Sequence, residues 1–297
     1  LMVVMTGGFA TVAGGVLAIY VGMLESTFPD IAGHLLAASV MSAPAALVIS
    51  KIIYPEVEEP VTTGELEMEA ESEDTNVLDA ASRGAAEGLK LALNVGGMLL
   101  AFIALISLIN YLLGWPSLMW NKHALGQLAE FYTQKGLAIP DGCSVAAVAD
   151  DAVAGCVATM KAAAGAPDVW QAPVITMQEI FGYIFWPFAW IMGVPTEDCF
   201  LIAQLLGEKM VVNELVAYSS LSEMLANPDI QLQGRSVVIA TYALCGFANF
   251  GSIGIQLGGI GGIAPSRKHD LATIALRAMI GGTLAAFMTA TVAGILI

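Results

Sequence analysis

Gly207-Glu-Lys-Met-Val-Val-Asn-Glu-Leu-Val-Ala-Tyr218 sets a lysine, an asparagine and two glutamates among apolar residues, between two short helical runs over 196–225. Each run is shorter than the roughly 20 residues a helix needs to cross a bilayer. Paired half-helices with polar residues between them predict a re-entrant hairpin, a structure tolerated at membrane depth only against protein or a cavity. Glu214 is the most informative residue in it. An ionised carboxylate at membrane depth costs at least ~2.5 kcal/mol on insertion scales, so it needs a partner, a proton or a ligand. Lys209, five residues away, is the structural alternative.

Composition places the stretch in a membrane. Hydrophobic residues are 57% of the 297, charged residues only 12%, and mean hydropathy is +0.75. A soluble domain carries about a quarter charged residues. The net charge of -15 is largely local, with ten of the 26 acids at 56–79. That stretch is read as a solvated linker, with no nucleic-acid partner. The expected order is a helix pair at 1–53, an acidic linker with an amphipathic lead-in at 54–90, and a long span at 91–115. An extramembrane insertion follows at 116–171, with a helical run at 145–161. An aromatic interfacial helix and the re-entrant hairpin occupy 172–235, and a second helix pair 236–297. The second pair holds spans at 236–264 and 271–297. Pro44 is expected to kink or break the helix at 31–53. The chain starts at Leu1 inside an apolar run, without a charged leader region, so upstream residues are expected.

Charge sets the topology. Arg267, Lys268 and His269 mark the turn between the last two spans as cytoplasmic. The first turn, with Glu25 and Asp30, then lies outside, so the two helix pairs run oppositely. An inverted-repeat secondary transporter has that arrangement. The fold class is therefore an all-α polytopic membrane protein with broken helices and a re-entrant hairpin, multi-pass in the plasma membrane (the inner membrane of a bacterium). The linker falls inside and 116–171 outside. On that oxidising side Cys143 and Cys156 can form a disulfide; burial of Cys156 as a free thiol is the alternative. Cys199 and Cys245 read as apolar fillers.

Two further stretches are candidate sites. Asn249 and Ser252, bracketed by Gly246 and Gly251, suggest an unwound segment whose polar groups, with Glu214, suit a polyhydroxylated ligand. Interhelical hydrogen bonding is the plainer account. Thr6-Gly-Gly-Phe-Ala-Thr-Val-Ala-Gly-Gly15 repeats the theme. Thr11 and the Val12 carbonyl could hold a small hard cation if the helix breaks there; tight helix packing is the alternative. No His/Cys/acid cluster or phosphate loop is present in the sequence, and nothing indicates an enzyme or a cofactor.

Gly207-x-Lys209-x3-Asn213-Glu214-Leu215-Val216-Ala217-Tyr218 resembles the signature of the concentrative nucleoside transporters. Cys245-Gly-Phe-Ala-Asn249-Phe-Gly-Ser252 and Gly7-Gly-Phe-Ala-Thr-Val-Ala-Gly14 resemble that family's two other landmark stretches. Leu215 stands where the family has Phe, and 116–171 is longer than the family leads one to expect. The resemblance implies a sodium-coupled symporter, or a proton-coupled one, built as a homotrimer with a scaffold and a moving transport domain. It implies nucleoside substrates such as uridine, cytidine and adenosine. Glu214, Asn249 and Ser252 would bind ribose, Phe247 and Val16 would line the cleft, and Thr11 and Val12 would supply half a sodium site. No other metal is implied. The first re-entrant hairpin, with the rest of both sites, would precede Leu1. A channel or membrane scaffold, with Glu214 gating or structural, is the competing class.

Overall fold

The computed structural model describes residues 1–57, 75–163 and 165–297, so most of the acidic linker lies outside the described residues. The regular elements among those residues are all helices, without a strand. The chain divides into two compact units, Leu1–Ala104 with Phe181–Ile297, and Leu105–Ile180.

In the first unit, the leading span is two helices, α1 (Met2–Ala10) and α2 (Gly14–Leu24), separated at Thr11 and Ala13 by extended backbone. The break coincides with a β-branched pair, Thr11-Val12, flanked by Gly-Gly dipeptides, all weak helix formers. α3 (Ile31–Ile53) then runs through Pro44, so of the expected kink or break the break does not occur. Pro44 lies on an exposed face, and in the turn before it the Ser42 hydroxyl donates to the Ser39 carbonyl at 2.6 Å. Proline is tolerated within apolar helices, where it frees a single carbonyl, here that of Val40, four residues earlier.

After α4 (Val77–Lys135), α5 (Val153–Lys161) and α6 (Met177–Ile191), the unit resumes with α7 (Cys199–Val211) and α8 (Glu214–Ala226), packed on each other. α9 (Gly234–Leu244) and α10 (Phe250–Ile263) form a second broken helix. The break covers Cys245–Asn249, so Gly251 and Ser252 belong to the first turn of α10 and not to the unwound segment expected around them. A 3-10 turn, Pro265–Arg267, feeds directly into α11 (Lys268–Leu296), which therefore starts before the expected 271. Met2–Leu24, Ile31–Ile53 and Pro265–Leu296 are each long and apolar enough to cross a membrane.

α11 is the centre of this unit and packs against α1, α3, α9 and α10. Its small residues allow this. A Cβ on Gly282 would lie 2.4 Å from Phe9 Cβ, and one on Gly294 2.8 Å from the Met192 carbonyl. Close backbone approach through small residues is how helices associate where lipid removes the hydrophobic drive. α6 adds Phe185 and Ala189 to the core, Phe185 meeting Phe287 of α11 edge-on at 6.0 Å, and leaves Tyr183 and Trp190 exposed.

Helix α4 and the second unit each differ from expectation. The lead-in at 80–90, the stretch 91–115 and the start of 116–171 form one helix, α4, with Pro116 inside it. Contacts just past the proline hold that helix together. Ser117 Oγ donates to the Pro173 carbonyl at 2.6 Å, and Trp120 Nε1 to the Trp170 carbonyl at 3.0 Å. Asn121 pairs reciprocally with the backbone of Ala172, at 3.0 and 2.8 Å. The helix expected over 145–161 exists only as α5; Ala147 and Val148 instead donate to the Ser144 carbonyl in tight turns. Asp150 and Asp151 disfavour helix there, and Asp150 is drawn to Lys122 at 2.7 Å. The core joins Leu125, Leu128, Val157 and Met160, all fully buried.

Cys143 and Cys156 form a disulfide in this unit. Closing a loop of that length removes unfolded-state entropy worth roughly 3 kcal/mol in the simplest treatment. Mass spectrometry of protein purified under alkylating conditions should find both cysteines linked, and two alkylated thiols would refute the bridge. After reduction, an impermeant thiol reagent should label them only from outside the cell.

Candidate functional site

Two helix starts and one hydroxyl meet at Glu214. Asn213 is the N-cap of α8, its Oδ1 accepting from the Val216 amide at 2.9 Å, and Asn249 caps α10 in the same way, accepting from the Ser252 amide at 2.8 Å. Asparagine is among the strongest N-caps, because its side chain satisfies an amide that the helix leaves unpaired. Glu214 is therefore the first residue of α8, where the helix dipole favours negative charge.

Its carboxylate is divided between two neutral donors. Tyr20 of α2 donates to Oε1 at 3.0 Å, and Asn249 Nδ2 donates to Oε2 at 3.0 Å. Ser252 Oγ closes the cluster by donating to Asn249 Oδ1 at 2.9 Å. Glu214, Asn249 and Ser252 are all buried, at 4%, 2% and 4% exposure. The structure thus joins the three residues that sequence reasoning grouped.

The expected alternative, an ion pair with Lys209, is absent among the described residues. Lys209 is buried, but its ammonium donates to the Ala243 carbonyl at 2.9 Å. That carbonyl is one of the last four of α9, where a cation is favoured by the dipole and by unmet acceptors. A carboxylate has about four acceptor sites. The Tyr20 and Asn249 bonds take one on each oxygen, so Glu214 has capacity for further hydrogen bonds.

Sequence reasoning missed Tyr20. Its ring is fully buried and stacks on Tyr218 of α8, centroids 4.3 Å apart. Tyr218 in turn donates its hydroxyl to the Thr241 carbonyl at 2.7 Å. The available signal was a tyrosine alone in an apolar span, whose hydroxyl requires a partner. It lies four residues after Val16, on the same face of α2. Val16 and Phe247 are half-buried and pack against the core.

The two helix breaks touch. Gly246 has φ +120°, and a Cβ there would lie 2.7 Å from the Ala10 carbonyl oxygen and 2.9 Å from that of Phe9. Thr11 and Val12 therefore sit beside the second break. Both the Thr11 amide and hydroxyl donate to the Gly7 carbonyl, at 3.1 and 2.9 Å. Gly246→Ala should destabilise the protein by roughly 2–4 kcal/mol, from a strained backbone plus overlap with two carbonyls. Thermal unfolding in detergent would register this as a lowered midpoint, and a wild-type midpoint would contradict the contact.

Comparison with known proteins places this geometry. The family model for the C-terminus of Na+ dependent nucleoside transporters matches residues 34–294. Solute carrier family 28 member 3 of Mus musculus is 40% identical over 305 residues, covering 99% of this chain and 36% of that protein. Sodium/nucleoside cotransporter 1 of Rattus norvegicus is 37% identical over 306 residues, covering 99% of this chain and 39% of that protein. A solved structure of CNTnw in an inward-facing substrate-bound state aligns with TM-score 0.65 and 34% identity, over 99% of this chain and 56% of that one. The chain therefore spans between about a third and somewhat over half of the length of these relatives.

Proposed function

The chain belongs to the concentrative nucleoside transporter family, as its C-terminal part, and on that premise we propose that it carries the ribose-binding half of a cation-coupled nucleoside symporter. It is a transporter sequence and not an enzyme. In this reading the Glu214 carboxylate accepts hydrogen bonds from ribose hydroxyls, and Asn249 and Ser252 share the sugar. Phe247 and Val16 supply the apolar wall, and the substrates are nucleosides such as uridine, cytidine and adenosine. α7 and α8 form the re-entrant hairpin, and the helix pairs 1–53 and 236–297 form inverted repeats. The whole protein is a homotrimer in the plasma membrane, with the helix pairs in its moving part and 116–171 outside.

One observation carries this reading. Glu214 lies buried in an apolar unit, held by two neutral donors with no ion pair among the described residues. A gating or purely structural glutamate would be best served by full pairing. A carboxylate with open acceptor sites between two helix starts suits a ligand that brings hydroxyl groups. Glu214→Gln keeps the shape but loses charge-assisted bonds, each worth ~1.5–3 kcal/mol. Calorimetry should show uridine binding weakened about tenfold or more. Wild-type affinity in this variant would remove Glu214 from the site.

Sodium is the proposed coupling ion, supported by the sodium cotransporters among the relatives. Thr11 and Val12 lie where α1 ends, so oxygens from the broken helix could serve a hard cation. Thr11→Val removes one ligand while the Thr11 amide bond to Gly7 keeps the helix end closed. The sodium concentration giving half-maximal uridine uptake into proteoliposomes should rise. If sodium dependence is unchanged while an imposed pH gradient drives uptake, the coupling ion is the proton.

A further inference from the structure

We propose that Tyr20 is a positioning residue for nucleoside binding, its hydroxyl fixing the Glu214 carboxylate in the orientation that presents its open acceptor sites to the sugar. The inference rests on the assignment of Glu214 to ribose and extends it to a residue on another helix.

Glutamate has a long side chain, and the Asn249 bond alone would leave Oε1 free to swing about Oε2. The Tyr20 hydroxyl supplies the second fixed point, at 3.0 Å. Two donors from different helices, one on each oxygen, define the plane of the carboxylate. Tyr20 is itself held on two sides. Its ring, with no exposed surface, stacks on Tyr218, whose own hydroxyl is committed to the Thr241 carbonyl. Its helix is tethered a second time where Ser222 of α8 donates to the Met23 carbonyl at 2.9 Å. α2 and α8 are thus joined at both levels of the contact, and the phenol cannot retreat without separating them.

Packing does not require the hydroxyl. A phenylalanine would bury the same ring on Tyr218, whereas the oxygen's hydrogen-bond partner is the carboxylate. A polar atom placed in an apolar core for one acceptor acts on that acceptor. Because Tyr20 lies one turn beyond Val16 on the same face of α2, the helix that contributes an apolar wall also aims the acid.

Tyr20→Phe tests this in the full-length protein, since it keeps the ring stack. Uridine, 2′-deoxyuridine and 3′-deoxyuridine would be titrated by calorimetry against wild type, Tyr20→Phe, Glu214→Gln and the double variant. Uridine should weaken about five- to tenfold in Tyr20→Phe, since the Tyr20–Glu214 bond is lost with and without ligand and only its positioning effect reaches the affinity. The deoxy analogue lacking the hydroxyl that Glu214 engages should weaken less than twofold, so discrimination between ribose and that analogue shrinks. In the Glu214→Gln background, Tyr20→Phe should change uridine binding by less than twofold. Equal weakening of all three ligands, unchanged uridine affinity, or failure of Tyr20→Phe to fold would each overturn the positioning role. If Tyr20→Phe leaves uridine binding unchanged while Glu214→Gln weakens it, only the Tyr20 inference fails. If Glu214→Gln itself binds uridine normally, the assignment of the acid fails as well.

Discussion

A buried carboxylate between two helix starts is the constraint from which the rest of the first unit follows. Glu214 could not remain ionised among apolar side chains without compensation, and no cation contacts it among the described residues, the buried Lys209 ammonium being committed to the Ala243 carbonyl. Compensation comes from position. The acid is the first residue of α8, where the dipole favours it, and the capping asparagine of α10 donates to it. Both caps need their helices to begin at that depth, so the helices must be interrupted there. The broken backbone is a condition for placing the acid and not an accident of weak helix formers.

The interruptions create their own demand, because unpaired backbone groups at membrane depth cost several kcal/mol each if left alone. The structure answers with local closures. Asn213 and Asn249 satisfy amides at the starts of α8 and α10, Lys209 satisfies a carbonyl near the end of α9, and Thr11 folds back on Gly7. Two of these closures use a residue that also reads, in isolation, as a ligand candidate. Asn249 and Thr11 illustrate the overlap, since each is both a local cap and a member of a proposed site. Capping accounts for one group on each side chain. It leaves both Asn249 amide hydrogens, one of which serves Glu214, and the Thr11 hydroxyl still has acceptor capacity.

Much of this was legible in the sequence because polar residues are rare in the apolar helices around the site. Glu214, Asn249 and Ser252 stood out against an apolar background, and the spacing of Gly, Thr and Asn marked both breaks. Tyr20 was invisible for the converse reason. Tyrosine reads as a core aromatic, and its partner lies 194 residues away on another helix. Neither Pro44 nor Pro116 ends its helix, and at Pro116 tertiary contacts outweigh local preference. α3 passes Pro44, and α4 passes Pro116 because Ser117 and Asn121 are clamped to residues 172 and 173. Local propensity sets where a helix can end, and hydrogen bonds from distant residues decide whether it does. The second unit shows the same limit. Its bridge between Cys143 and Cys156 was one of two open readings, and the turns at 144–152 stand where a helix was expected.

The contact between the breaks has a mechanical consequence. Gly246 lies so close to the Phe9 and Ala10 carbonyls that no side chain fits between them. A shift of the α9–α10 break by even a carbon's width must therefore move the end of α1 as well. α2 is fastened to α8 through Tyr20, Tyr218 and Ser222. The sugar-binding residues proposed here and the cation ligands proposed at Thr11 and Val12 thus belong to one packed body, joined by contacts that are short, buried and geometrically specific. Packed interiors rearrange between discrete arrangements and do not deform continuously. Ordering one break by a bound cation would then restrict the other before a nucleoside arrives, and the second ligand would bind with less conformational freedom left to lose. That route couples two ligands without any direct contact between them, and its strength depends on how stiffly Gly246 and Tyr20 join the helices.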